Sequence, residues 1–124
     1  MFQNESRLLV ADNYGAIEIL VIRCLGGSNR KYSRIGDLVE ATVKKVKPNM
    51  GIEKGEKVLA LVVTSKKGFR RRNGSFIKFS KNYAILLKGK EDRQPRGTLI
   101  SVPILREFGE WGYKKLLSLT REVI

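Results

Sequence analysis

The apolar positions of this chain recur mostly with a period of two. Ile17, Ile19 and Val21 alternate with Glu18, Leu20 and Ile22, which predicts one apolar and one mixed face. Val39, Ala41 and Val43 alternate with Glu40, Thr42 and Lys44, the pattern of a half-buried strand. Val58 to Val63 is a continuous apolar run, read as a central strand. Ser75–Phe79, Tyr83–Leu87 and Gly97–Val102 are read as shorter strands. Turn-forming clusters separate them: Asp12-Asn13-Tyr14-Gly15, Gly26-Gly27-Ser28-Asn29, Ile35-Gly36-Asp37, Pro48-Asn49-Met50-Gly51 and Asn73-Gly74.

Short strands at this spacing predict a mainly β fold, a small closed five-stranded antiparallel β-barrel. After Pro103 the period changes. Leu105 and Phe108 are three apart, and Tyr113, Leu116 and Leu117 fall at i, i+3 and i+4, so two short C-terminal helices are expected on the barrel. Phe108 and Trp111 are read as packing residues. Neither a linker nor a repeat interrupts the chain, so residues 1–124 form one domain.

Charge adds the first functional information. Twenty-five Lys and Arg against twelve Asp and Glu give a net charge of +13. Lys57 to Lys90 contains ten Lys and Arg and not one acid. Within that window, Lys66, Lys67, Arg70, Arg71 and Arg72 crowd into seven residues beside the Asn73-Gly74 turn. Such charges repel one another, and a polyanion removes the repulsion while releasing its own counterions. This is a basic arm suited to nucleic acid. No apolar run approaches the ~18 residues that span a bilayer, and no helix pairs a basic face with a broad apolar one, so no membrane partner is expected.

A second basic loop, Ser28–Arg34, combines Arg30, Lys31 and Arg34 with Tyr32. Its cations suit phosphate oxygens and Tyr32 suits stacking on a base or sugar; a solvated turn is the alternative. Phe69 either anchors the arm in the core or stacks on RNA.

The absence of histidine excludes Ser-His-Asp and Cys-His catalysis and every His-containing zinc site. The single cysteine, Cys24, excludes an intrachain disulfide and an all-cysteine zinc site; its apolar surroundings read as those of a small buried residue. Asp12, Glu18, Asp37, Glu40, Glu53, Glu56 and the pair Glu91-Asp92 are read as turn caps and solvated strand faces rather than a carboxylate–magnesium nuclease site. No enzyme and no cofactor are expected. Met1–Ser6 has neither a signal-peptide apolar region nor an Arg-rich transit segment, so the protein is expected to act where it is made, unless the chain is already processed.

Several blocks then resemble a known family. Ala60-Leu61-Val62-Val63, nine residues, Asn73-Gly74, four residues, Phe79, two residues, Asn82, two residues and Ile85-Leu86 resemble the signature of the fourteenth large-subunit ribosomal protein. Val10–Ala16, Leu25–Tyr32 and Ser118–Ile124 are similar to its opening motif, its glycine-serine basic loop and its C-terminus. Departures are Tyr14 for the usual serine, Ile85 for valine, Leu99 where bacterial relatives carry arginine, and Ser101-Val102-Pro103 in place of a glycine-containing turn.

The resemblance implies a closed barrel bound to large-subunit rRNA and facing the small subunit across intersubunit bridges. Implied partners are small-subunit rRNA, the third and, in bacteria, nineteenth large-subunit proteins, and a ribosome-silencing factor. The expected rRNA-binding residues are Arg23, Arg30, Lys31, Tyr32, Arg34, Lys44, Lys66, Lys67, Arg70, Arg71, Arg72 and Lys78. Thr98, Leu99, Arg106 and Lys115 are expected at a protein or intersubunit contact, with Leu99 packing on an apolar partner or on the protein's own helix. The drifted positions and lysine-rich composition resemble an organelle-encoded member, mitochondrial ahead of plastid, with the bacterial cytoplasm otherwise. The competing reading is a free-standing barrel that binds single-stranded nucleic acid. It needs several exposed aromatics on one face, whereas aromatics are 8% of the chain and Phe76 and Phe79 fall on opposite faces by parity.

Overall fold

The computed structural model describes residues 6–25, 34–48, 51–88 and 94–124. The strands run in chain order as β1 (Arg7–Val10), β2 (Ala16–Cys24), β3 (Leu38–Val46), β4 (Lys57–Thr64), β5 (Phe69–Arg70), β6 (Phe76–Ile77) and β7 (Tyr83–Leu87). Helices α1 (Glu107–Glu110) and α2 (Lys114–Leu119) follow. A closed five-stranded barrel has the order β1-β2-β3-β4-β7, and β5-β6 is a separate two-stranded hairpin inserted between β4 and β7. Four of the five barrel pairings are antiparallel. The fifth departs from the all-antiparallel expectation: β1 runs parallel to β7, with Leu9 opposite Tyr83 and Val10 opposite Ala84.

The unbroken apolar run in β4 has a direct cause. Val58, Ala60 and Val62 point into the barrel interior with Ile19, Val21, Val39, Ala41, Val43, Ala84 and Leu86. Leu61 and Val63 point the other way, into a second core with Ile85, Leu87, Ile100, Ile104, Leu105, Phe108, Tyr113 and Leu116. The C-terminal segment covers the outside of β4 and β7, so both faces of these strands are buried and neither retains polar alternation. Each fully buried Leu or Ile contributes about 1.5–3 kcal/mol.

In β2 the alternation holds only between irregularities. Register shifts with β3 between Ala16 and Glu18 and between Glu18 and Ile19 place Ala16 and Ile19 inside and Ile17 outside, 38% exposed, against the expected inward Ile17. Cys24 is buried, as its surroundings predict. β1 has no counterpart among the expected strands. Gly97–Val102 is not a continuous strand: Ile100 alone bridges Asp12 on one side and Thr120 on the other. Ser75–Phe79 contracts to two paired residues.

Both expected helices form. Phe108 meets Trp111 and Tyr113 edge to face, at centroid distances of 5.1 and 6.0 Å, and Trp111 packs over Gly36, whose φ is +93°. Trp111 is thereby a packing residue. Among the described residues, no helix is long and apolar enough to cross a membrane.

Candidate nucleic-acid interface

The basic arm grows from a polar root between β4 and β7. The buried Thr64 hydroxyl donates to the Lys81 carbonyl and accepts the Tyr83 N–H, both at 2.9 Å. Asn82 Oδ1 accepts the Lys66 N–H at 2.8 Å. At the tip, Arg71 N–H donates to the Ser75 carbonyl, Gly74 N–H donates to the Arg71 carbonyl, and Asn73 Oδ1 accepts from the Ser75 N–H and hydroxyl. Gly74 takes φ +90°, the left-handed conformation that the Asn-Gly pair favours.

This hairpin has two unlike faces. Phe69 lies opposite Ile77 and Arg70 opposite Phe76, so each pair shares a side. Phe69, Ile77 and Phe79 pack on the second core, and Phe69 meets Trp111 edge to face at 5.8 Å. The Phe69 alternatives therefore resolve to anchoring. Arg70, Phe76 and Lys78 are exposed on the other side.

Arg71 belongs to the inner face. Its Nε donates to Glu107 Oε2 at 3.2 Å, its Nη2 donates to the main-chain oxygen of Ile124, and its side chain is only 15% exposed. Lys66, Lys67, Arg70 and Arg72 are exposed and enter no ion pair among the described residues. The expected five-cation arm is thus four outward charges and one inward pin.

Folding brings Arg34, the one described residue of the second basic loop, to the arm. A cleft of about 370 Å³ is lined, among the described residues, by Arg34, Lys67 and Arg70 with Ile35, Ser65, Gly68 and Phe69, none of them acidic. Asp37 caps the turn that carries Arg34, its Oδ2 accepting the Arg34 N–H at 2.7 Å. Arg30, Lys31 and Tyr32 lie outside the described residues. On the other flank of the arm a groove of about 300 Å³ gathers Arg70, Arg71 and Arg72 with Arg106, Glu107, Glu110 and Trp111. Arg106 therefore belongs with the arm rather than with Thr98 and Leu99. Arg23 is an exposed β2 residue whose guanidinium pairs with Glu40 at 2.7 Å. Lys44 lies six residues along β3 from Leu38, about 20 Å in an extended strand.

The remaining expected contact residues sit where the 97–101 segment crosses the Asp12–Asn13 turn. Asn13 Oδ1 accepts the N–H groups of Thr98 (2.8 Å) and Leu99 (3.3 Å), and Asn13 Nδ2 donates to the Thr98 hydroxyl at 2.9 Å. Leu99 is 42% exposed. Ile100 N–H donates to the Leu119 carbonyl, which ties this segment to α2, where Lys115 is exposed.

Asp12 is a turn cap, as read from the sequence, but a buried one: its carboxylate accepts the Tyr14 N–H of its own turn at 3.2 Å and the Leu86 N–H of β7 at 3.1 Å. Burial raises its pKa above the ordinary value, against the opposing pull of those two donors and of Arg96 and Lys47. Sequence reasoning also missed Glu107 and Asn13, which position the arm and the 97–101 segment. Glu107 carries no local signal, whereas Asn13 stands in a turn motif that the sequence marks.

The family model described as ribosomal protein L14p/L23e matches residues 1–124. With that match over the whole sequence, on a five-stranded barrel with two short C-terminal helices, the chain belongs to the L14p/L23e family of ribosomal proteins, structural components of the large ribosomal subunit.

Proposed function

We propose that this protein binds large-subunit rRNA by its phosphates, through Arg34, Lys66, Lys67, Arg70, Arg72 and Lys78. The observation that carries this reading is the convergence of Arg34, Lys67 and Arg70, from segments far apart in sequence, on one cleft with no acid among its described lining residues. Guanidinium and ammonium groups so placed satisfy phosphate oxygens in a charge-assisted way and carry no sequence information. Arg71 contributes by holding the arm. Thr98, Leu99 and Lys115 form, on this reading, part of the face toward the small subunit, the exposed Leu99 meeting an apolar partner surface there. The same surface is the docking place for a silencing factor, neighbouring large-subunit proteins complete the setting, and the compartment is the mitochondrion.

Binding of an rRNA fragment by purified protein, measured against salt, tests the phosphate contacts. Replacing Lys67, Arg70 and Arg72 together by alanine lowers the log–log slope by roughly two to three units, at ~0.7–0.9 per phosphate. Arg71→Ala alone moves the slope far less. An unchanged slope in the triple variant overturns the assignment. Sedimentation of tagged protein from lysate separates a ribosomal component, which comigrates with large subunits, from a free-standing binder.

A further inference from the structure

We infer that the outer face of the β5–β6 hairpin is a stacking site for one unpaired nucleobase, with the Phe76 ring as its platform. The inference rests on the rRNA-binding reading above and adds a base contact to its phosphate contacts. Phe76 is 49% exposed, more than any other large apolar residue described, and the others in that class (Ile17, Ile22, Leu99 and Val123) all lie off the arm. The exposed half of the ring does no work for the fold.

Its surroundings specify the ligand. Arg70 stands directly across from Phe76 on the same face, and Lys78 Nζ lies 5.9 Å from the ring centroid, at the outer limit of a cation–π contact. A protein partner covering this ring would also have to bury two cations. A nucleotide matches the whole group, because its base stacks on the ring while its flanking phosphates meet Arg70 and Lys78. The backbone is shaped to admit the ring. A Cβ on Gly68 would lie 2.9 Å from Phe76 Cε1 and 2.4 Å from the Ile77 carbonyl oxygen, at φ +85°, so only glycine lets the ring edge settle against the opposite strand. Arg70 also lines the cleft with Arg34 and Lys67, so a strand whose base stacks on Phe76 has a phosphate site beside it.

The test uses the full chain, a short single-stranded oligoadenylate, and inorganic polyphosphate as a base-free polyanion. Phe76→Leu keeps an apolar side chain but removes the π-face; it weakens oligoadenylate binding roughly tenfold and leaves polyphosphate binding and the salt slope unchanged. Phe76→Trp binds oligoadenylate as well as the parent or better. Equal oligoadenylate binding by the Leu variant and the parent overturns the inference, and so does a parallel loss toward polyphosphate, which would mark a structural role. Loss of incorporation into large subunits with oligoadenylate binding intact would assign the ring to a protein partner instead. If the parent chain binds neither probe, the rRNA-binding reading itself falls, an outcome distinct from a parent that binds both probes but is indifferent to residue 76.

Discussion

Arg71 turns away from its four cationic neighbours and pairs with Glu107, Nε to Oε2 at 3.2 Å, with both side chains more than four-fifths covered. The arm is the most basic part of the sequence, yet one of its five charges is neutralised from within. Through that pair and the Phe69–Trp111 contact, the hairpin is fixed to the C-terminal layer rather than left to swing from its root.

Glu107→Gln leaves the Arg71 guanidinium enclosed without its counter-charge and destabilises the protein by about 1.5–3 kcal/mol, the range for a hydrogen bond to a charged group. Replacing both partners by apolar residues of similar size, Arg71→Met with Glu107→Leu, recovers much of that loss. Urea unfolding of the parent, of Arg71→Met, of Glu107→Leu and of the variant carrying both gives the coupling energy. Strict additivity of the single effects would mean that the pair contributes nothing.

Gly97 passes so close to the Asp12–Asn13 turn that an added Cβ would lie 2.9 Å from both Asn13 Oδ1 and Asp12 Cβ. Gly97→Ala therefore displaces the segment carrying Thr98 and Leu99 and costs about 1–3 kcal/mol. Asn13→Ala removes hydrogen bonds that water can replace at this exposed site and costs less, about 0.5–1.5 kcal/mol. The order of their unfolding midpoints checks this, and the reverse order would show that the hydrogen bonds, not the close approach, hold the crossing.

Asp12 and Glu18 respond to acid in opposite senses. Burial raises the Asp12 pKa above its unfolded value, so between the two values the native state holds more protons and stability from this group falls as pH rises. Glu18 is held below its ordinary value chiefly by the Arg7 guanidinium, so its contribution is present at higher pH and lost as pH falls. The stability difference between parent and Asp12→Asn isolates the first effect: the parent's relative stability decreases as pH rises through the acid range. A difference independent of pH would show that Asp12 titrates alike in the folded and unfolded chain.

Periodicity reveals which residues are apolar on both sides of a strand, and β4 reads correctly because its double burial erases alternation. It cannot register a bulge, so Ile17 appears inward in the sequence and lies outward in the structure. β1 is short and depends on β2 and β7 for its pairing, and Ile100 depends on two isolated bridges, so neither carries a local pattern of its own. At the candidate site, the charge density of the arm is written in the sequence. Which cation turns inward is decided by Glu107, 36 residues away. Arg34 joins Lys67 and Arg70 only through the pairing of β3 with β4, which no spacing along the chain encodes.

The parallel seam between β1 and β7 sets an order of events during synthesis. β1, β2, β3 and β4 can pair one after another as they emerge, because each neighbour follows directly in the chain. The last closure joins Val10 to Ala84 and must wait until the whole basic arm has been made. Until then the nascent sheet has two open edges, on β1 and β4, able to template pairing with another chain. A closure of such long sequence separation is slow for entropic reasons. The arm and its cations are therefore complete in sequence before the barrel that carries them has shut.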